Sequence, residues 1–403
     1  MTRLLLLLAA LAACRGSHDA PRAQGSADPW AVTTHAAAKP APPRRPDGLP
    51  ALPVPWPSRP ATAHDATAGV EDLAPLLEPE RAAGDVPAIG ATVYRGPQLV
   101  AIGAVGTRKR GDAAGVLLTD HWHLGSDTKA MTAVLIGLYI DRGKLHFDDT
   151  LGTLFAGEHV DPGYANVTIR QLLAHQGGAP AGSLAGSLAM RRDAALPDAR
   201  KRWVLGILAA PPAQAPGTYV YSNDGFIILG AILERITGQS WEDLMQRELF
   251  APLHMSCGFG PPTGLNPWGH PGGQPIDPAS PTADNPPTLG PAGRVNCTLG
   301  GWGAFATMIL AGARGEKTLL TRETMAALLT APPNHGYMGG WILATLPAFG
   351  GEILSHDGSN TMWYASAWIL PAKNLVVLVT ANDAVHGATI VPAIAVALIE
   401  RFQ

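Results

Sequence analysis

A serine and a lysine three residues apart, Ser126 and Lys129, are the residues of this chain best suited to do chemistry. The segment that follows has the apolar spacing of a helix, and residues i and i+3 lie on the same helical face. An amine beside a hydroxyl can take its proton and make it a nucleophile without a catalytic histidine. Only this one of the seven lysines has a serine three positions before it. The pair predicts nucleophilic catalysis.

A tyrosine and an asparagine, Tyr221 and Asn223, could complete such a site. A phenol near the nucleophile can exchange protons with it and with the leaving group, and the amide can hold a substrate carbonyl or the lysine. The same spacing occurs at Tyr164 and Asn166. Both tyrosines follow a Pro-Gly pair, but only Tyr221 precedes a helix-like segment. We therefore favour Tyr221 as catalytic, the alternative being an ordinary loop tyrosine.

A third group, His356 and Gly358, lies directly before a strand-like segment at 363–370. A glycine at a strand edge lets a substrate approach the backbone closely. Backbone N–H groups there, together with that of Ser126, are suited to form an oxyanion hole. The similar pair His270 and Gly272 falls in a Pro/Gly-rich stretch, and we interpret it as a loop.

Three other histidines are weaker candidates for a catalytic or metal-binding role. His175 could act as a general base, but a histidine at a helix end before two glycines is more often a structural hydrogen-bonding residue. His121 and His123 flank a tryptophan, and no Cys, Asp or Glu completes a zinc spacing around them. We therefore predict a structural role for His175 and no metal site.

These residues must be positioned by a sheet and a set of helices. Strand patterns occur near both ends of the region, at 88–94, 98–104, 341–346, 351–355, 363–370 and 375–380. Helical patterns occur at 71–83, 128–141, 168–174, 199–209, 225–237, 241–250, 302–311, 322–329 and 391–401. Together they predict an α/β (α+β) domain over 69–403, with an antiparallel sheet flanked by helices and a mainly helical part inserted at about 142–300. Ser126 then falls at the junction, where clefts usually form.

The first 68 residues predict export and tethering. A short basic start and an apolar run end at Cys14, which is typical of a signal peptide over 1–14 and too short to span a bilayer. The last four of these residues resemble a bacterial lipobox, which would make Cys14 a lipidated membrane anchor, the alternative being an ordinary signal peptide cut nearby. Arg15 follows Cys14, where an aspartate would signal retention in the inner membrane. By that resemblance we expect, for a Gram-negative source, an outer-membrane lipoprotein facing the periplasm. Residues 15–68 are proline-rich and predict an extended tether.

The bulk composition and the other two cysteines add modest constraints. A formal charge of -3 gives no sign of nucleic-acid binding, and an apolar fraction of 46% is ample for a packed core. Cys257 and Cys297 form an even pair in an oxidising compartment. They could be bonded, closing a loop of about forty residues, or remain two separate buried thiols.

The motifs, in this order, resemble those of the serine β-lactamase-related hydrolases, which include class C β-lactamases, D-Ala-D-Ala carboxypeptidases and β-lactamase-fold esterases. The nucleophile motif, the Tyr-x-Asn motif and the Lys/His-x-Gly motif are matched, as are the segments 143–145, 148–149, 169–175 and 291–293. The similarity covers roughly residues 70–400. It implies a β-lactamase/transpeptidase-like fold, an acyl-enzyme mechanism without a cofactor, and a small-molecule or peptidoglycan-type substrate.

The resemblance also implies a role for each site residue. Ser126 would accept the acyl group while Lys129 and Tyr221 share proton transfer. The N–H groups of Ser126 and Ser359 would form the oxyanion hole, and Asn223 would orient the substrate.

One position departs from the class C β-lactamase pattern, because His356 stands where those enzymes have lysine. A lysine offers a fixed charge to a substrate carboxylate, whereas a histidine offers one only when protonated. We therefore expect a carboxylesterase or D-amino-acid peptidase, with a β-lactamase as the second choice. A non-hydrolytic penicillin-binding or cell-wall sensor protein is the alternative from another class.

Overall fold

The computed structural model describes residues 69–182, 184–191 and 198–403. The predicted signal peptide, the tether and Cys14 lie outside the described residues. The strands are β1 (Glu71–Asp72), β2 (Ala88–Arg95), β3 (Gln98–Gly106), β4 (His121–His123), β5 (Cys257–Phe259), β6 (Val295–Thr298), β7 (Tyr337–Met338), β8 (Trp341–Leu346), β9 (Gly351–Ser359), β10 (Tyr364–Leu370) and β11 (Leu375–Ala381).

Most of the helices lie between β4 and β5 in the chain. The helices are α1 (Ala74–Ala83), α2 (Thr128–Asp141), α3 (Leu151–Leu154), α4 (Pro162–Ala165), α5 (Ile169–Leu173), α6 (Leu184–Arg191), α7 (Asp198–Leu208), α8 (Asn223–Thr237), α9 (Trp241–Met245), α10 (Gly290–Gly293), α11 (Leu299–Ala313), α12 (Arg322–Leu328) and α13 (Ala384–Phe402). A 3-10 turn, Gly125–Asp127, leads into α2, and a π-helical turn, Gln246–Phe250, extends α9.

Strands from both ends of the domain form one eight-stranded sheet in the order β1-β3-β2-β11-β10-β9-β8-β7. Every neighbouring pair is antiparallel except the short β1–β3 pair. The N-terminal and C-terminal strands meet where β2 pairs with β11, for example at Ala91 opposite Val379. The architecture is thus the predicted mixed α/β fold with an antiparallel-dominated sheet flanked by helices.

Helices cover both faces of this sheet. On β11, Val376 and Leu378 join the core that also contains Trp302 and Phe305 of α11. Ala381 lies on the opposite face, where a Cβ added to Gly387 of α13 would lie 3.3 Å from the Ala381 Cβ. Because successive strand residues point to opposite faces, a strand covered on both sides is apolar throughout. All seven residues of β11 are buried.

A small second sheet, β4–β6–β5, holds the segment that leads into the nucleophile turn. Its strands have three or four residues each, and the sequence pattern revealed only β4. Cys257 and Cys297 lie directly opposite each other on β5 and β6 and are joined by a disulfide bond. Of the two alternatives left open by the sequence, the structure therefore has the bonded one.

Several predicted boundaries were wrong, and three of them have a clear physical reason. The helix predicted at 71–83 begins only at Ala74, because Glu71 and Asp72 pair with β3. The closing helix begins at Ala384 rather than 391, since the Asp383 carboxylate accepts hydrogen bonds from the first free N–H groups, and Pro392 lies inside the helix. His356 and Gly358 lie within β9, which runs to Ser359, and not in a segment between strands.

Candidate active site

Lys129 is fully buried in the first turn of α2, and its amine makes three contacts. Nζ lies 3.0 Å from Ser126 Oγ, 2.8 Å from Asn223 Oδ1 and 2.8 Å from the Ala292 carbonyl oxygen. The last two partners are carbonyl oxygens, which can only accept hydrogen bonds. A neutral amine has two N–H groups and one lone pair, so donating to these two oxygens leaves the lone pair for the Ser126 hydroxyl proton.

Burial holds the pKa of Lys129 well below its ordinary value of 10.5, and nearby Asp127 opposes that shift only in part. A buried amine loses the hydration that stabilises its charged form. Lys129 is therefore suited to be an uncharged base, while Ser126 stays half-buried at the surface of the site. This geometry can activate the Ser126 hydroxyl for attack on a carbonyl carbon.

Tyr221 and Asn223 reach the site from the start of α8. Ser222 caps this helix, with its hydroxyl accepting from the Gly225 N–H. The Lys129 amine lies 4.8 Å from the centre of the Tyr221 ring. Tyr164, the rival tyrosine, is buried and donates to the Gly178 carbonyl oxygen at 3.2 Å, away from the nucleophile.

His175 packs beneath this segment. Its ring centre lies 4.4 Å from that of Tyr221, and its Nδ1 accepts a hydrogen bond from the Ser222 N–H at 3.1 Å. Burial lowers its pKa well below the ordinary 6.5. The predicted structural role of His175 thus fits a side chain that supports the Tyr221 loop.

The backbone of β9 packs directly on the nucleophile turn. A Cβ added to Gly358 would lie 1.9 Å from the Leu124 carbonyl oxygen, and one added to Gly125 would lie 2.3 Å from the Ser359 nitrogen. Gly125 also has a φ of +51°, which favours glycine. The sequence suggested that Gly358 makes room for a substrate, whereas the structure has the protein's own backbone in that space. The contact brings together the chain segments that carry the Ser126 and Ser359 N–H groups, predicted oxyanion donors.

His356 is buried and uncharged. Its Nδ1 lies 3.1 Å from Asp127 Oδ1, and its Nε2 lies 3.1 Å from the Tyr337 hydroxyl. Burial, with a further contribution from Lys129, lowers the pKa of His356 to about 3. The side chain therefore offers no fixed positive charge at neutral pH, and both ring nitrogens are already engaged.

Several residues around the nucleophile were not identified from the sequence. The buried Asp284 carboxylate lies 2.8 Å from His123 Nε2, and it accepts from Asn360 Nδ2 at 2.8 Å and from Arg294 Nε at 3.1 Å. Burial alone would raise the pKa of Asp284, but the neighbouring His123 and Arg294 hold it below its usual range. His123 in turn accepts from the Gly125 N–H at 3.0 Å. This carboxylate thus links three segments around Ser126.

Little in the sequence marks these supporting residues. Asp284 lies in the Pro/Gly-rich stretch, which has no periodicity from which to infer a contact. Asp127 stands inside the nucleophile motif, where its spacing gives no hint of its partner. His121 contacts Asn296 Oδ1 at 2.7 Å. Within the described ranges no group of three or more His, Cys, Asp and Glu side chains could hold a metal ion.

The family model described as Beta-lactamase matches residues 73–399 of the chain. The chain belongs to the beta-lactamase family. This is a family of serine hydrolases, and the Ser126–Lys129 pair lies within the matched region. Ser126 and Lys129 thus lie within the part of the chain that has the beta-lactamase-family fold.

Relatives in the beta-lactamase family differ in the activities that their names state. The chain is 28% identical over 309 residues to "Penicillin-binding protein 4" of Amycolatopsis lactamdurans, covering 70% of this chain and 77% of that protein. Its fold is similar to a class C beta-lactamase from Rhodobacter sphaeroides, with a TM-score of 0.63, 20% identity and coverage of 81% and 99% of the two chains. It is also similar to a D-stereospecific amidohydrolase from Streptomyces sp., with a TM-score of 0.60, 21% identity and coverage of 75% and 91%.

Proposed function

We propose that the protein hydrolyses esters or D-amino-acid amides and peptides through an acyl-enzyme on Ser126. The observation that supports this most is the set of contacts at Lys129. Two carbonyl oxygens, from Asn223 and Ala292, take up the amine's hydrogens at 2.8 Å and orient its lone pair toward Ser126 Oγ. Because the amine is buried and uncharged, it can accept the hydroxyl proton as the bond to the substrate carbonyl forms.

The proposed reaction has two steps. Ser126 Oγ attacks the carbonyl carbon, its proton passes to Lys129, and the oxyanion accepts from the Ser126 and Ser359 N–H groups. The bond between the carbonyl carbon and the leaving group then breaks, and the leaving group takes up the proton, directly from Lys129 or through Tyr221, which leaves the acyl-enzyme. Water repeats the attack on the acyl-enzyme with the same base, releasing the acid and restoring Ser126.

The charge of the site favours substrates without a carboxylate beside the scissile bond. Lys129 is suited to be neutral, and His356 is neutral and hydrogen-bonded at both ring nitrogens. A β-lactam antibiotic bears a carboxylate that would find no fixed positive partner in these two side chains. We therefore place esters and D-amino-acid amides ahead of β-lactams.

A hydrolysis screen tests the proposed function. Purified protein is assayed with p-nitrophenyl esters of increasing acyl length, D-amino-acid amides and nitrocefin, with Ser126→Ala as the control. We expect kcat/KM for the best ester or D-amide to exceed that for nitrocefin, and Ser126→Ala to be inactive. Faster turnover of nitrocefin would replace the proposal with a β-lactamase. A stable penicillin adduct without turnover of any substrate would support the non-hydrolytic sensor.

We further propose that the protein is exported and anchored by a lipid at Cys14, which would put it at the outer membrane facing the periplasm. The proposal rests on the basic start, the apolar run and the cysteine at its end. In a bacterial host, the wild type should incorporate radiolabelled palmitate and fractionate with membranes, whereas Cys14→Ser should do neither. Equal labelling of the two proteins would contradict a lipid at Cys14.

A further inference from the structure

Three buried side chains next to the nucleophile form a continuous hydrogen-bonded chain. Tyr337 Oη lies 3.1 Å from His356 Nε2, and His356 Nδ1 lies 3.1 Å from Asp127 Oδ1. All three side chains are at most 4% exposed. They come from three separate segments, β7, β9 and the nucleophile turn. The two hydrogen bonds therefore connect these segments.

Asp127 is the unusual member of this hydrogen-bonded series of side chains. It occupies the N-cap position of α2, where an aspartate normally accepts a hydrogen bond from the first turn, but its side chain makes no capping bond. The carboxyl instead turns toward His356. Its other oxygen, Oδ2, is buried with no hydrogen-bond partner among the described residues. A buried carboxylate oxygen without a donor is costly, whereas a protonated carboxyl needs fewer donors.

We propose that Asp127 is a positioning residue, which orients His356 and Tyr337 through hydrogen bonds and sets the charge that Lys129 experiences. The proposal deepens the proposed function and rests on it for its kinetic consequence alone. Asp127 immediately follows the nucleophile and precedes the base by two residues. A change of charge on its carboxyl therefore changes the electrostatic environment of both the nucleophile and the base.

The position of one proton distinguishes two forms of this chain. With Asp127 protonated, its hydroxyl donates to His356 Nδ1, and the histidine proton on Nε2 donates to the Tyr337 oxygen. With Asp127 ionised, His356 carries its proton on Nδ1 and donates to the carboxylate, while the Tyr337 hydroxyl donates to Nε2. The tautomer of His356 thus reports the protonation state of Asp127 directly.

The surrounding groups favour the protonated form at neutral pH. Burial, with a smaller contribution from Asp357 on β9, raises the pKa of Asp127 well above its ordinary 3.8. The other titratable groups facing Asp127 and Lys129 are His356 on β9, Tyr337 on β7, Tyr221 before α8 and His175 after α5. Because ionised Asp127 raises the pKa of Lys129, the protonated form keeps Lys129 unprotonated and ready to act as a base.

Nuclear magnetic resonance of ¹⁵N-histidine-labelled protein tests the two forms without needing a substrate. The His356 signals are assigned by their loss in His356→Gln, and spectra are recorded from pH 5 to 10. We expect the Nε2–H tautomer at low pH and a change to the Nδ1–H tautomer as Asp127 ionises. Asp127→Asn, which cannot ionise, should hold one tautomer throughout. An unchanging tautomer in the wild type, or the same change in Asp127→Asn, would overturn the proposal.

The rate at which a fluorophosphonate labels Ser126, measured over the same pH range, tests the effect on the base. At pH values where the wild-type His356 still carries its proton on Nε2, Asp127→Asn should be labelled at the wild-type rate, and above the tautomer change it should be labelled faster, because the negative charge that keeps Lys129 protonated is absent. Asp224→Asn, which removes another buried carboxyl, should leave both the labelling rate and the His356 tautomer unchanged. Equal labelling rates of the wild type and Asp127→Asn above the tautomer change would refute the influence of Asp127 on Lys129. If the wild type is not labelled at all, the proposed function fails, whereas the tautomer measurement still decides the hydrogen-bonded chain.

Discussion

Replacement of Gly358 by alanine tests the contact between β9 and the nucleophile turn. The added Cβ would lie 1.9 Å from the Leu124 carbonyl oxygen, and Cβ contacts below 3.0 Å essentially never occur. It would also lie 2.9 Å from the Ser126 nitrogen. Since β9 is held between β8 and β10, the turn that carries Ser126 must move away by about 1.1 Å.

A displacement of this size has a calculable consequence. Misplacing reacting groups by about 1 Å costs roughly 10²-fold in rate, and forcing a methyl group into a packed site costs about 1–3 kcal/mol of stability. We expect Gly358→Ala to lose about 10²-fold in kcat/KM for the best ester or D-amide, and 1–3 kcal/mol in the free energy of unfolding measured with urea. Both should be determined on the same protein preparation.

A second glycine provides the matched control. Gly206 lies on the exposed side of α7, and a Cβ built there meets no atom within 4 Å. Gly206→Ala should keep wild-type activity and gain about 0.5–1 kcal/mol of stability, because alanine is the better helix former. Wild-type kcat/KM in a folded Gly358→Ala would refute the close packing of β9 on the nucleophile turn.

Three further substitutions test other parts of the structure. Lys129→Met should lower kcat/KM by about 10²–10⁴-fold. The wild-type rate should rise with pH through a pKa well below 10.5. A rate that rises only through a pKa near 10.5 would contradict an uncharged base. Reduction of the disulfide between Cys257 and Cys297, 40 positions apart, should cost about 3–4 kcal/mol of unfolding free energy, and a urea midpoint insensitive to reductant would contradict this. Burial raises the pKa of Asp224 from 3.8 to about 6, so its stabilising contribution is complete below pH 3.8 and is lost as pH rises through 6. Relative to the wild type, Asp224→Asn should gain about 3 kcal/mol between pH 4 and 7, and a pH-independent difference would refute this.

The sequence predicted the strongly patterned parts of the molecule well. Helix α2 has the predicted bounds Thr128–Asp141, and strand β8 has the predicted bounds Trp341–Leu346. Helix α2 is a long apolar segment whose residues are almost all buried, and β8 is a short run of mainly apolar residues. The spacing of Ser126 and Lys129 was equally informative, because one helical turn fixes the relative placement of residues i and i+3.

Contacts between distant segments could not be predicted in the same way. Ala292 accepts from Lys129 through a backbone oxygen, which any residue type could supply. The partners of Asp284 are far apart along the chain, and His356 was predicted to lie directly before a strand although it lies inside one. That the His356 ring is neutral follows from its burial against Asp127 and Tyr337. Sequence periodicity holds no information about such pairings.

Mass spectrometry of the modified nucleophile tests the central proposal most directly. The wild type, Ser126→Ala and Lys129→Met are each incubated with a fluorophosphonate, digested and mapped. We expect one equivalent of adduct on the wild-type peptide that contains Ser126, none in Ser126→Ala, and labelling slowed by at least about 10²-fold in Lys129→Met. An adduct on another serine, or hydrolysis of esters by Ser126→Ala at the wild-type rate, would contradict an acyl-enzyme on Ser126.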